Sequence, residues 1–171
     1  MKRTGITLIG MPGSGKSTIG KLLSKRLSFR FIDLDLFIKE KGGESHDTIA
    51  NVQGESALLG LEEKYALALD LDRAVFSPGG SIIYSKKAME KLRKETAVFY
   101  LELPIEEIER RLGDGVYERG IVGIKEKGLS GLFRERTPLC AAYAHHAIVC
   151  RGLRENEIVS RIADLFDSSA Q

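Results

Sequence analysis

Hydrophobic residues occur in short apolar runs that alternate with longer segments of helical pattern. Most of the short runs are rich in β-branched or aromatic residues, and together they predict strands at residues 4–9, 29–32, 74–76, 97–101 and 147–149. The helical segments predict helices at residues 16–27, 34–41, 47–53, 55–71, 85–94, 105–112, 129–143 and 155–166. This alternation predicts an α/β fold, a five-stranded parallel sheet with helices on both faces. Ligands of such sheets bind at the carboxyl ends of the strands.

Residues 113–127 interrupt the regular pattern. They contain four glycines among charged residues: Gly113, Gly115, Gly120 and Gly123. A glycine-rich segment of this length is typical of a mobile active-site lid. The chain contains no linker and no internal repeat, so we expect residues 1–171 to form a single domain that carries this lid.

Residues 10–17 read GMPGSGKS and match the pattern G-x-x-x-x-G-K-[ST] of a phosphate-binding loop. A predicted strand precedes the segment and a predicted helix follows it, as the motif requires. Its glycines let backbone N–H groups turn toward a polyphosphate, and the helix adds the positive end of its dipole. Lys16 is placed to reach the β- and γ-phosphates, and Ser17 to ligate Mg²⁺. The alternative is a glycine-rich turn that binds nothing, and the flanking elements favour a nucleoside triphosphate site.

Two carboxylates, Asp33 and Asp35, end the second predicted strand two residues apart. In an extended chain they point to the same side, and we expect that side to face the mouth of the phosphate loop. One carboxylate can then hold Mg²⁺ through water, while the other accepts a proton or a hydrogen bond from a substrate hydroxyl. The alternative is that Asp35 caps the helix that follows.

Composition excludes several classes of partner. Hydrophobic residues make up 43% of the chain and charged residues 29%, and the formal net charge of +2 is too small to favour nucleic acid. No apolar stretch approaches the ~18 residues of a membrane span. Residues 1–5 run directly into the first predicted strand, so we expect no signal peptide and a cytoplasmic protein.

Cysteine and histidine usage adds no metal site or disulfide to this picture. Cys140 and Cys150 are expected to be free thiols in a reducing compartment. His145 and His146 are adjacent and lack the spacing of metal ligands, so we expect them to have a structural role.

An ordered set of motifs resembles the shikimate kinase family, whose members are small phosphotransferases with a nucleoside-monophosphate-kinase-like fold. The resemblance covers nearly the whole chain. Its segments are LIGMPGSGKSTIGKLLSKRL at 8–27, FIDLD at 31–35, GES at 54–56 with a following Glu62, SPGGS at 77–81, RRL at 110–112, YERGIV at 117–122 and RTPL at 136–139. Many nucleotide-binding proteins share the loop alone, whereas the ordered set is more specific. It implies a transferase of aromatic amino acid biosynthesis that uses ATP and Mg²⁺.

The resemblance also implies the residues of an ATP site. The phosphates are held by the loop and the first turn of the next helix: Gly13, Ser14, Gly15, Lys16, Ser17 and Thr18. Mg²⁺ is held by Ser17 and, through water, by Asp33. Arg111 resembles the residue that covers the adenine, and Arg110 competes with it for that place.

On the acceptor side, Asp35 resembles the carboxylate that binds the substrate hydroxyls and serves as candidate base. Gly79 and Gly80 are expected to offer backbone close to the substrate, and Arg136 to pair with the substrate carboxylate. Arg119 resembles the lid arginine that reaches toward the transferring phosphate. The alternatives are an exposed lid charge for Arg119 and a solvated helix face for Arg136, since arginine is usually exposed. The catalytic residues implied are Lys16, Asp35 and Arg119.

Three positions depart from the family pattern. Leu59 replaces an arginine that helps to clamp the substrate carboxylate, and Pro78 replaces the first of three glycines. Gly120 replaces a proline of the lid, which loosens that segment. Losing one charge-assisted hydrogen bond costs about 1.5–3 kcal/mol, or a factor of roughly 10 to 150 in affinity. These departures leave the residues expected to bind ATP unchanged and concern the part of the site expected to bind the acceptor.

We therefore expect an ATP-dependent kinase of a small hydroxylated acid, with the conversion of shikimate to shikimate 3-phosphate as the first candidate. The alternative is a related kinase in which Leu59 and Pro78 reshape the pocket for another small alcohol. A third hypothesis is a nucleotide-binding regulatory module, but the chain has no N-K-x-D guanine motif. The expected partners are ATP and the acceptor, without nucleic acid or membrane, and we expect a monomer.

Overall fold

The parallel sheet predicted from the sequence is present in the computed structural model, which describes residues 3–42, 44–118 and 120–169. Its strands are β1 Gly5–Ile9, β2 Arg30–Asp33, β3 Ala74–Ser77, β4 Thr96–Glu102 and β5 His146–Val149. They pair in parallel in the order β2-β3-β1-β4-β5. Each strand end lies within one residue of its predicted position. The predicted fold class is confirmed.

Helices connect the strands and cover both faces of the sheet. Within the described ranges they are α1 Lys16–Leu27, α2 Leu34–Gly42, α3 His46–Val52, α4 Glu55–Ala68, α5 Lys86–Glu95, α6 Ile105–Leu112, α7 Ile124–Tyr143 and α8 Glu155–Ser169. Short 3₁₀ helices occupy Ile82–Tyr84 and Asp114–Glu118. Each predicted helix is present, although α4 ends before its predicted end at 71 and α7 begins before its predicted start at 129.

The lid segment is more regular than its glycine content predicted. It contains the 3₁₀ helix Asp114–Glu118 and the first turn of α7. Gly128 interrupts α7 with φ 63° and ψ 174°, a left-handed backbone conformation that glycine adopts without a steric penalty. The turn at residues 124–127 is thus joined to the rest of α7 through a glycine kink.

Side chains of β1 alternate between two hydrophobic cores, one on each face of the sheet. Ile6 and Leu8 belong to the core that α1 and α8 cover, whereas Ile9 belongs to the core that α4 and α5 cover. All residues of β1 are buried, as expected for a central parallel strand that is covered on both faces.

The strand order brings three chain segments together at the carboxyl edge of the sheet. β1 leads into the phosphate loop at 10–17, and its neighbour β3 leads into residues 78–80. β2 lies on the other side of β3 and ends at Asp33. Crevices at this edge are where open parallel sheets bind ligands.

The two adjacent histidines have structural roles, as expected. Nδ1 of His145 accepts a hydrogen bond from the N–H of Val98 at 3.0 Å, and burial lowers the pKa of His145 to about 4. The ring of His146 stacks on Phe99, with 5.1 Å between the ring centroids. Among the described residues, no group of three or more histidine, cysteine, aspartate or glutamate side chains is placed to hold a metal ion.

Candidate active site

A cavity of about 540 Å³ opens at the carboxyl edge of the sheet. The predicted site residues that line it are Gly13, Gly15, Lys16, Ser17, Thr18, Asp33, Asp35, Gly79, Gly80, Arg111 and Arg136. Ser14 is 3% exposed and is not part of the lining. Arg119 lies outside the described residues, but the next lid residues, Gly120, Ile121 and Val122, border the cavity. The structure therefore brings the phosphate loop, the acidic pair, Arg136 and part of the lid into one cleft.

The phosphate loop leaves the N-terminus of α1 open to a ligand. Gly15 precedes the helix with φ 96°, and in the described part of the chain no side chain caps α1. The first turn of the helix carries no acidic residue. The first N–H groups of a helix have no intrahelical partner, and the helix dipole favours an anion beside them. This end of α1 therefore suits a phosphate group.

Lys16 lies against its own loop rather than extending into solvent. Its side chain is half-buried, and Nζ donates hydrogen bonds of 3.0 Å to the carbonyl oxygens of Gly10 and Met11. Burial lowers the pKa of Lys16 from its ordinary value, although nearby Asp35 opposes this effect. A cation that is partly removed from water interacts more strongly with an anion than a fully hydrated one does.

Asp33 and Asp35 differ in their surroundings, and the extended geometry predicted for them is wrong. The strand ends at Asp33 and α2 begins at Leu34, so Asp35 lies in the first turn of a helix. Oδ1 of Asp33 accepts hydrogen bonds from the N–H groups of Asp35 at 3.1 Å and Leu36 at 3.3 Å. Asp33, and not Asp35, therefore caps α2. Both carboxylates still line the cleft.

Asp33 also contacts the phosphate loop. Its Oδ2 accepts a hydrogen bond of 2.6 Å from the Ser17 hydroxyl. A hydroxyl and a carboxylate oxygen side by side are the hard oxygen ligands that Mg²⁺ prefers, and Mg²⁺ in nucleotide sites takes its remaining ligands from phosphates and water. This part of the cleft therefore fits the predicted metal.

Glu62 is a site residue that the sequence reasoning left without a role. It lies on α4, is 1% exposed, and lines the cleft. Its Oε2 accepts a hydrogen bond of 2.6 Å from the Ser81 hydroxyl, and burial raises the pKa of Glu62 to about 7. A side chain at Gly79 would collide with its carboxylate. Its spacing in the sequence could have indicated that Glu62 is buried, because it lies four residues from both Leu58 and Ala66 on the buried face of α4.

Arg136 is buried, so a solvated helix face is the wrong interpretation of this residue. It is 1% exposed, and Nη2 donates a hydrogen bond of 2.7 Å to the carbonyl oxygen of Val122 in the lid segment. Nε donates to the Tyr84 hydroxyl at 3.1 Å. Nη1 lies on the cleft side, where a Cβ atom at Gly80 would come within 3.0 Å of it. The guanidinium group is therefore fixed with one nitrogen directed toward the cleft.

Between the two arginines considered for the adenine, the structure places Arg111 at the cleft. Its Nη1 lies 3.4 Å from the carbonyl oxygen of Gly13, and Nη2 donates to Glu107 at 2.6 Å. Arg110 has a side chain 77% exposed and is not part of the lining. Arg111 is thus the arginine that borders the phosphate loop.

Two of the three departures from the family pattern, Pro78 and Gly120, line the cavity. The third, Leu59, is half-buried, packs against the core under α4 and is not part of the lining, although its neighbour Leu58 is. Among the described residues, the cations that line the cleft are Lys16, Arg111 and Arg136. Arg136 lies beside Gly80.

Comparison with known proteins identifies relatives along nearly the whole chain. The family model described as shikimate kinase matches residues 12–166. A shikimate kinase of Persephonella marina is 35% identical over 159 residues, which are 92% of this chain and 95% of the relative. One from Paracidovorax citrulli is 37% identical and covers 92% of this chain and 89% of its own.

Solved structures give the same result. A shikimate kinase from Acinetobacter baumannii, solved in complex with shikimate, has a TM-score of 0.88 and 28% identity, covering 97% of this chain and 94% of that one. The enzyme from Aquifex aeolicus has a TM-score of 0.78 and 25% identity, with coverage of 96% and 97%. Sequence and fold therefore point to the same family.

Proposed function

The chain belongs to the shikimate kinase family, and we propose that it transfers the γ-phosphoryl group of ATP to the 3-hydroxyl group of shikimate. The family makes it an ATP-dependent small-molecule kinase, which disfavours a purely regulatory module. The observation that carries the proposal is that one cleft holds both the phosphate loop and the buried Arg136. Nη1 of Arg136, on the cleft side, can donate a charge-assisted hydrogen bond to a carboxylate, which shikimate carries.

The phosphate loop supplies the ATP half of this proposal. The backbone of residues 13–18 and Lys16 hold the phosphates, and Arg111 covers the adenine. Mg²⁺ is held by Ser17 and, through water, by Asp33, and when bound it neutralises charge on the phosphates. Phosphoryl transfer requires positioning and charge neutralisation from a protein more than covalent chemistry. The open N-terminus of α1 and the half-buried Lys16 support this assignment.

The acceptor half is formed by Asp35, residues 79–80 and Arg136. Asp35 accepts the proton of the hydroxyl group that attacks, and the backbone of Gly79 and Gly80 approaches the acceptor ring. Arg136 pairs with the acceptor carboxylate, and Arg119 reaches toward the transferring phosphate from the lid. Glu62 holds Ser81, and its carboxylate lies where a side chain at position 79 would come, so it shapes the loop against which the acceptor lies.

We further propose that residues 1–171 form one kinase domain, in which residues 113–127 are a lid that closes when ligands bind. The protein would act as a monomer in the cytoplasm and bind neither nucleic acid nor membrane. Cys140 and Cys150 are free and buried, which suits a reducing compartment. No described helix has the length and apolarity of a membrane span.

A related kinase with another small hydroxylated acceptor is the second candidate. Its support is that Leu59 and Pro78 differ from the family pattern and that the acceptor end of the cleft carries one arginine among the described residues. Both candidates share the ATP half and differ only in the acceptor.

Incubation of the purified protein with ATP, Mg²⁺ and shikimate tests the proposal directly. We expect shikimate 3-phosphate and ADP in equal amounts, measured by mass spectrometry and a coupled ADP assay. A panel of small hydroxy acids run in parallel distinguishes the second candidate. Turnover of another acid without turnover of shikimate would overturn the leading assignment.

The two aspartates are expected to respond differently to the loss of charge. In Asp35→Asn, kcat should fall about 10²–10⁴-fold, the typical contribution of a general base, with little change in KM for ATP. Asp33→Asn should act through the metal, so that raising the Mg²⁺ concentration partly restores its turnover. Asparagine is also a good N-cap, so α2 should remain folded in Asp33→Asn. An identical Mg²⁺ dependence of the two variants would contradict this division of roles.

Leu59→Arg tests whether a second arginine, in addition to Arg136, strengthens the binding of the acceptor carboxylate. If shikimate is the acceptor, we expect KM for shikimate to fall on the order of tenfold, equivalent to about 1.4 kcal/mol. The reason is that the family pattern has an arginine at this position, where it helps to clamp the substrate carboxylate, and that arginine is longer than leucine. Leu67→Arg is the matched control, because Leu67 lies on the same helix and is exposed to solvent. No gain in Leu59→Arg, together with no shikimate turnover in the unmodified protein, would favour the second candidate.

A further inference from the structure

Arg136 is held in place by two hydrogen bonds on the sides of its guanidinium group that face away from Gly80. Nη2 donates to the Val122 carbonyl at 2.7 Å, and Nε donates to the Tyr84 hydroxyl at 3.1 Å. The guanidinium carbon also lies 5.2 Å from the centroid of the Tyr84 ring, within the range of a cation–π contact. Tyr84 therefore contacts Arg136 with both its ring and its hydroxyl.

The hydroxyl of Tyr84 is close to two charged groups, Arg136 and Glu135. Its oxygen accepts the hydrogen bond from Nε of Arg136. Burial and the nearby carboxylate of Glu135 raise the pKa of Tyr84. A neutral tyrosine hydroxyl can accept from Arg136 and still donate its own proton.

Glu135 connects this arrangement to the end of the lid. Nζ of Lys127 donates to both of its carboxylate oxygens, at 2.9 and 2.7 Å. Lys127 immediately precedes the Gly128 kink that joins the lid segment to the rest of α7. Two hydrogen-bonded pairs, Lys127–Glu135 and Tyr84–Arg136, therefore lie next to each other between the lid and the buried arginine, and Glu135 is close enough to Tyr84 to affect its pKa. We call these four residues the Tyr84 chain.

We infer that Tyr84 is a positioning residue for the acceptor, which holds Arg136 so that Nη1 faces the acceptor carboxylate and which connects this orientation to the lid through Glu135 and Lys127. The inference rests on the proposed function for the identity of the acceptor. With Leu59 in place of a second arginine, Arg136 is the one guanidinium group that the described residues place beside Gly80 to bind the carboxylate. A group fixed before binding loses less conformational entropy when the ligand arrives.

Tyr84→Phe removes the hydroxyl and keeps the ring. We expect KM for shikimate to rise about tenfold, while kcat and KM for ATP stay within about twofold, because the atoms that react with ATP are not touched. Tyr65→Phe is the matched control, since Tyr65 is half-buried on α4 and its ring packs on Phe37 outside the cleft. If the unmodified protein turns over shikimate and Tyr84→Phe leaves KM unchanged, the inference is wrong while the proposed function stands.

A double-mutant cycle with Lys127→Met tests the connection to the lid. Contacting residues of one network give non-additive effects, whereas independent ones multiply. We expect the KM of the double variant to fall short of the product of the single effects by about threefold or more. If the effects of the two substitutions on KM multiply, Lys127 does not belong to the Tyr84 chain.

The signal of the Arg136 Nε–H group in a ¹H–¹⁵N spectrum tests the positioning without any acceptor. Arg136→Lys assigns the signal by removing it. In Tyr84→Phe we expect the signal to shift and to exchange faster with solvent, while Tyr65→Phe leaves it unchanged. An identical signal in Tyr84→Phe would overturn the inference. A changed signal in a protein that does not phosphorylate shikimate would instead overturn the proposed acceptor and support the positioning of Arg136.

Discussion

A full positive charge buried beside Gly80, at the edge of the cleft, is the constraint around which this site is organised. Arg136 is 1% exposed, and an unpaired charge at such a position costs several kcal/mol. The lid carbonyl of Val122 and the hydroxyl of Tyr84 therefore bond to it. The lid and the 3₁₀ helix after β3 are brought together by their hydrogen bonds to one guanidinium group.

The second cation of the cleft, Lys16, is also partly removed from water. Burial lowers the pKa of Lys16, and burial raises that of Glu62 to about 7. Both shifts have the same cause, because a low-dielectric environment disfavours charge of either sign. Fixed charges and dipoles in such an environment are effective at stabilising charge on a ligand. Lys16 and Arg136 thus make this cleft favourable for anions.

Features determined by local sequence could be predicted, and features determined by tertiary contacts could not. The phosphate loop and the five strands follow from glycine placement and apolar runs, and they are present as expected. Nothing in the pattern FIDLD indicates that the strand ends at Asp33, so Asp33 and Asp35 were expected on the same face of an extended strand. Glu62 and Tyr84 gain their roles from Ser81 and Arg136, which are distant in the sequence. Such contacts between distant residues cannot be recognised from the composition of the chain or from the spacing of its residues.

In the proposed function, the charge of Arg136 recognises the carboxylate of the acceptor. A comparison of shikimate with its methyl ester tests this role directly, because the ester keeps the ring and its hydroxyl groups and requires no change in the protein. We expect kcat/KM for the ester to be lower by at least about tenfold, since the ester leaves the buried charge without its anionic partner. Equal kcat/KM values for the acid and the ester would contradict this role of Arg136.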